Sequence, residues 1–178
     1  IRALAPEAAN DLFIVGDGHQ RIYGQKVVLG QLGIHVRGRS STLRINYRTT
    51  EQIRDWAVAV FSGIAPDDLD GDHQDLKGYT SEYQGHLPEV RFFATAEEER
   101  AFLVGYLQDL VAAVPAGEIC LASRRRDALD HYGEVLAAAG IPVAGPKRAD
   151  GVILDTMHGV KGLEFKHMVL AGLTAADF

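Results

Sequence analysis

Three short stretches of the chain gather side chains that can handle phosphate, sugar and base. GDGHQRIYG, residues 16–24, follows the apolar run DLFIV. Its glycines allow a tight turn close to a ligand. Gln20 carries both a donor and an acceptor, which suits sensing a phosphate or orienting a water, and Tyr23 offers a flat face for stacking. The same residues also suit a plain solvated surface turn. NYRTT, residues 46–50, sets Tyr47, able to stack on a planar base, beside Arg48, whose rigid fork of donors matches a phosphate. Two hydroxyls at a helix start favour anions as well; a simple N-cap with a surface arginine is the competing account. TMHGVKGLEF, residues 156–165, holds Gly159 and Gly162, where the backbone can bend and approach a ligand. There His158 and Lys161 can meet phosphates, and Glu164 can accept from a ribose hydroxyl or a metal-bound water. His158, Glu164 and His167 are alternatively metal ligands, although their spacing fits no familiar zinc site.

These clusters need elements to position them. Residues 1–9 read as the end of a helix, and Asp11 to Val15 as a buried strand closed by the turn Gly16-Asp17-Gly18. Residues 25–33 read as helical, stopped by Gly33, and Thr42 to Ile45 as a strand. A helix follows from Thr49, with Thr49 and Gln52 as a capping box and Ile53, Trp56, Ala57, Val60 and Phe61 on one face. Residues 62–89 lose periodicity and read as an acidic loop or insertion. Its Asp68 to Asp72 stretch has glycine and glutamate misplaced for an EF-hand. Val90 to Phe93 returns to strand. Thr95 and Glu98 form a second capping box, for a helix whose face is Phe102, Leu103, Tyr106, Leu107, Leu110 and Val111. Further strands are expected at 119–122, 152–155 and 167–171, and a helix over 127–139 ended by Gly140. The last two strands read as buried runs on either side of the polar TMHGVKGLEF turn. The alternation predicts an α/β fold, a parallel-dominated sheet with helices on both faces, with ligands beyond the carboxyl ends of its strands.

Bulk composition is that of an ordinary globular chain: 178 residues, 47% hydrophobic, 24% charged, formal net charge −6. There is no long basic tract, so only a local patch can hold nucleic acid. The single cysteine, Cys120, excludes an internal disulfide framework and fits a reducing, cytoplasmic setting as a small buried hydrophobe. No signal peptide or membrane-length apolar run occurs, so no membrane partner is expected. The chain opens on Ile1 and stops at Phe178 without a polar tail, which leads us to expect a fragment of a longer protein.

In order and spacing the three clusters resemble motifs III, IV and V of the superfamily 1 helicases of the UvrD/Rep type: GDGHQRIYG, LRINYRTTEQI and TMHGVKGLEF. The resemblance covers nearly the whole chain. It implies RecA-like (P-loop NTPase-type) lobes that clamp ATP and move along single-stranded DNA, in repair or replication. Residues 1–40 would close the first lobe; residues 41–178 would form a partial second lobe, with the 62–89 stretch where the family inserts a subdomain. Residue by residue, it implies that Gln20 senses the γ-phosphate, Tyr47 stacks on adenine and Arg48 contacts the γ-phosphate like an arginine finger. Gly162 and Glu164 would border the nucleotide, and Tyr23, Thr156 and His158 would lie on the DNA side. Lys161 matches the motif without a firm role.

There are departures. The family's aromatic and arginine after motif III are Gln25 and Lys26 here, which weakens stacking at that point. No G-x-x-x-x-G-K-S/T and no D-E-x-Q occurs, so the phosphate cradle, the magnesium ligands and the base that activates water are missing. The 178 residues alone are therefore expected to be inactive, with ATP and Mg2+ engaged only once the missing first lobe is present. A helicase-like binding module without motor activity, or a different P-loop enzyme such as a nucleotide kinase, are the competing readings.

Overall fold

Ile119-Cys120-Leu121-Ala122-Ser123 is buried at every position, the pattern of a central strand covered on both faces. The computed structural model describes residues 4, 6, 8, 10–17, 27–60, 78–146, 148 and 150–175. The chain divides into two compact units, 1–90 and 91–178; the boundary drawn from the motifs at residue 40 falls inside the first. Both units are α/β, with parallel strands flanked by helices. No described helix is long and apolar enough to cross a membrane.

The second unit runs α2 (Ala96–Ala113), β3 (Ile119–Ser123), α3 (Arg126–Ala138), β4 (Val143–Ala144), β5 (Val152–Thr156) and β6 (His167–Leu170). Its sheet has the order β4-β5-β3-β6, parallel throughout, with Leu121 opposite Leu154 on one side and Val169 on the other. Side chains alternate across the sheet. Ile119, Leu121 and Val152 join Leu103 and Leu107 of α2 and Leu129, Tyr132 and Leu136 of α3 in one core. Cys120, Ala122 and Ile153 face the other way and are covered by Met157, Val160 and Phe165. The expectation of helices on both faces is thus corrected: both described helices of this unit serve one face, and the turn after β5 serves the other. The β6 strand, expected to be fully buried, is an edge strand and exposes Met168 and Leu170.

Local signals explain the helix ends. The Thr95 hydroxyl accepts from Glu98 N at 3.2 Å, and the Glu98 carboxylate reaches back to Ala94 N at 3.0 Å, so the expected capping box forms, shifted by one backbone donor. At the end of α3, Ile141 N donates to Leu136 O and Gly140 N to Ala137 O, with Gly140 at φ +77°. This is a Schellman stop, and its two apolar members, Leu136 and Ile141, both enter the core. Residues 90–93 form no strand. Phe93 instead packs on Phe102 of α2, ring centroids 5.4 Å apart, and Phe102 in turn stacks on Tyr106. Those two α2 aromatics therefore leave the buried stripe of Leu103 and Leu107. Cys120 is buried as expected, and desolvation, helped by the Asp155 charge, pushes its thiol up to about 12.

The first unit pairs β1 (Ile45–Thr50) with β2 (Thr80–Tyr83) in parallel, with α1 (Glu51–Val60) following β1 directly. The strand expected at 42–45 thus begins at its last residue and runs on to Thr50. Thr50, not Thr49, caps the helix, its hydroxyl accepting from Ile53 N at 3.4 Å, while Gln52 is drawn away to Gly85 N at 2.8 Å. β2 lies in the stretch read as a loop. Its sequence, TSEY, has no apolar alternation, and its place is fixed instead by the Glu51 carboxylate accepting from Ser81 N at 2.6 Å. Residues 11–17 form no strand, and Phe13 is 93% exposed, since no described segment pairs with them. The helix expected over 25–33 is a single 3-10 turn, Leu29–Leu32, closed by Gly33 at φ +71°; residues 25 and 26 lie outside the described residues.

Candidate functional site

The turn at 157–165 leaves the carboxyl end of β5 beside that of β3. Met157 N donates to Ser123 O at 2.9 Å, carrying the β3–β5 ladder one step past its last strand pair, Ser123 with Thr156. The chain then folds on itself: Val160 N donates to Thr156 O at 3.0 Å, Leu163 N to Val160 O at 2.9 Å, and Gly159 N to the Thr156 hydroxyl at 3.0 Å. Met157, Val160 and Phe165 pin this turn to the apolar face of the sheet. His158, Lys161, Gly162, Leu163 and Glu164 remain exposed. The alternation of apolar and polar residues in TMHGVKGLEF therefore divides an anchoring side from a solvent side. Thr156 itself is half-buried, and its hydroxyl oxygen accepts within the turn.

The two glycines are required for different reasons. Gly162 has φ +83°, a left-handed conformation that other residues adopt only at a cost. At Gly159 the constraint is space: a Cβ would lie 2.4 Å from Asp155 Oδ2. Asp155 is a buried carboxylate at the root of the turn, 5% exposed. Its Oδ1 accepts from Arg126 Nη2 at 2.7 Å and from Thr156 N at 2.7 Å.

The NYRTT stretch lies within β1 rather than after it. Asn46 pairs with Ser81 and Thr50 with Tyr83, so three residues of β1 stand against one of β2. Tyr47, Arg48 and Thr49 thus form a bulge, a device that re-aims side chains and recurs next to active sites. Asn46 holds it: its Oδ1 accepts from Arg48 N at 2.8 Å and from Thr49 N at 3.3 Å. Tyr47 is 61% exposed, leaving a ring face for stacking, and Arg48 is exposed beside it.

Among the sequence-predicted residues, Tyr47 and Arg48 are thus neighbours in the first unit, and Thr156, His158, Gly162 and Glu164 share one turn in the second. Gln20 and Tyr23 lie outside the described residues. Sequence reasoning missed Asn46, Arg126 and Asp155. An Asn that bonds the backbone two residues on is a turn signal that could have been read; the Arg126–Asp155 pair, 29 residues apart, carries no local signal. Among the described residues no group of three His, Cys, Asp or Glu side chains could hold a metal ion. No family model, no curated protein and no solved structure matches the chain.

Proposed function

We propose that the chain is part of an ATP-dependent translocase acting on single-stranded DNA, of the UvrD/Rep helicase type, working in the cytoplasm in repair or replication. The observation that carries this is the turn after β5. A rigid apolar underside and two obligatory glycines present His158, Lys161 and Glu164 at the carboxyl edge of a parallel sheet, where open α/β folds bind ligands. The order of the three motif-like stretches supports the same reading.

In this account Tyr47 stacks on the adenine. Arg48 places positive charge where the phosphoryl oxygens gain negative charge during transfer. Gly162 lets the backbone pass close to the nucleotide, and Glu164 accepts from the ribose region. Thr156 and His158 hold backbone phosphates of the DNA without reading its sequence. Gln20 couples the state of the γ-phosphate to movement, and Tyr23 stacks on a base. Magnesium, which neutralises charge on the β- and γ-phosphates, takes its ligands from residues of the D-E-x-Q type that this sequence lacks.

Steady-state ATP hydrolysis tests this. A longer chain joining these residues to a lysine-bearing phosphate loop hydrolyses ATP faster when single-stranded DNA is added. There His158→Ala raises the DNA concentration for half-stimulation about 3- to 10-fold, the loss of about one phosphate contact, and leaves the KM for ATP unchanged. Glu164→Gln shifts the KM for ATP instead. The 178 residues alone release no phosphate above background. Absence of DNA stimulation in the longer chain, or clear turnover by the 178 residues alone, would overturn the proposal.

A further inference from the structure

The root of the polar turn is a buried acid that the motif resemblance leaves without a role. The Asp155 side chain is 7% exposed, whereas that of Arg126, the first residue of α3, is 58% exposed. On its strand face Asp155 neighbours apolar Cys120, Ala122 and Ile153. A carboxylate in such a place is costly unless each oxygen is compensated. Oδ1 receives the Arg126 guanidinium and the Thr156 amide. Oδ2 lies against Gly159, where even a methyl group finds no room. An apolar residue at position 155 would fill the same space without that cost. What the acid adds is geometry: it bonds the amide that starts the turn, packs closely against the glycine three residues into it, and ties the turn to the start of α3.

We infer that Asp155 is a positioning residue for the 156–165 turn, clamped by Arg126 and acting through Thr156 and Gly159. Neither clamp residue need touch a ligand. Together they hold Thr156 and His158 in the arrangement that grips a phosphate backbone, a consequence that rests on the translocase proposal. The clamp itself does not depend on it. Arg126→Gln strands a buried carboxylate and frees the turn. Asp155→Asn keeps shape and removes the charge. Combining the two removes both charges at once, so the double variant is less impaired than the sum of the single ones.

The test uses the 178-residue chain. Amide hydrogen exchange resolved by residue reads the clamp, and anisotropy of a fluorescein-labelled oligothymidylate reads phosphate binding. In Arg126→Gln the amides of Thr156 and Gly159 are expected to exchange about tenfold faster while that of Leu121 keeps its protection. DNA affinity is expected to fall about 3- to 10-fold, and the Arg126→Gln/Asp155→Asn double variant to regain at least about half of both losses on a logarithmic scale. Unchanged turn exchange, or loss of protection at Leu121 equal to that in the turn, overturns the clamp. Faster turn exchange with unaltered DNA affinity overturns its positioning role. If the wild-type chain binds no oligothymidylate, the translocase proposal fails at this point, and the exchange data still decide the clamp.

Discussion

Arg48→Ala, in a longer chain that joins these residues to a lysine-bearing phosphate loop as the translocase proposal requires, is expected to lower DNA-stimulated kcat by about 10³-fold. That is the lower end of what a guanidinium placed at a transferring phosphoryl group contributes. The effect falls on kcat more than on the KM for ATP, because the oxygens gain most of their charge in the transition state. Arg48→Lys recovers only part of the loss, since a point charge does not reproduce the fork. Arg48 is exposed, and its backbone N–H, which Arg48→Ala retains, donates to Asn46, so the change in stability should be on the order of 1 kcal/mol or less. Phosphate release, with circular dichroism as the control for folding, separates these outcomes. A variant retaining full turnover would remove Arg48 from the mechanism.

Leu121→Ala carries the largest expected effect on stability. Leu121 is 0% exposed at the centre of β3, between Leu154 and Val169, and under the helix residues Leu107, Leu129 and Leu136. Strands pair on both sides and helices cover the face, so the surroundings cannot close over the missing atoms, and the cavity adds to the lost transfer energy. The cost should be about 3–5 kcal/mol, a large share of the roughly 5–15 kcal/mol that holds a domain together. In a unit of this size the melting midpoint would drop by roughly 10 °C or more. Phe92→Ala removes a larger side chain that is 93% exposed and should stay within about 0.5 kcal/mol of wild type. Urea titration followed by circular dichroism compares the two. A Leu121→Ala midpoint close to that of Phe92→Ala would contradict the placement of the core.

What the sequence made legible tracks how local the physics is. The β3 and β5 strands could be found because a central parallel strand is apolar almost without interruption, and α3 because Gly140 supplies a left-handed stop just after Leu136. The α2 helix was marked by Thr95 and Glu98 three residues apart. The first unit was less legible. INYRTT mixes β-formers with polar residues, and only the break in register between Asn46 and Thr50 shows that its centre is a bulge. TSEY carries no apolar pattern, and DLFIV has the composition of a strand but no described partner to pair with. At the candidate site the exposed residues of the turn were readable from type and spacing. The groups that fix its shape were not: Asp155 reads as one polar residue at the end of a strand until Arg126 and Gly159 are seen against it.

The claim on which most depends is that Tyr47 and Arg48 meet a nucleoside triphosphate. Photolabelling of the longer chain with 8-azido-ATP, in the presence of single-stranded DNA and followed by peptide mapping, tests it most directly. Modification of the peptide containing Tyr47, suppressed by excess ATP and lost in Tyr47→Ala, is the predicted result. Label confined to peptides without Tyr47, at the same sensitivity to ATP, would contradict it.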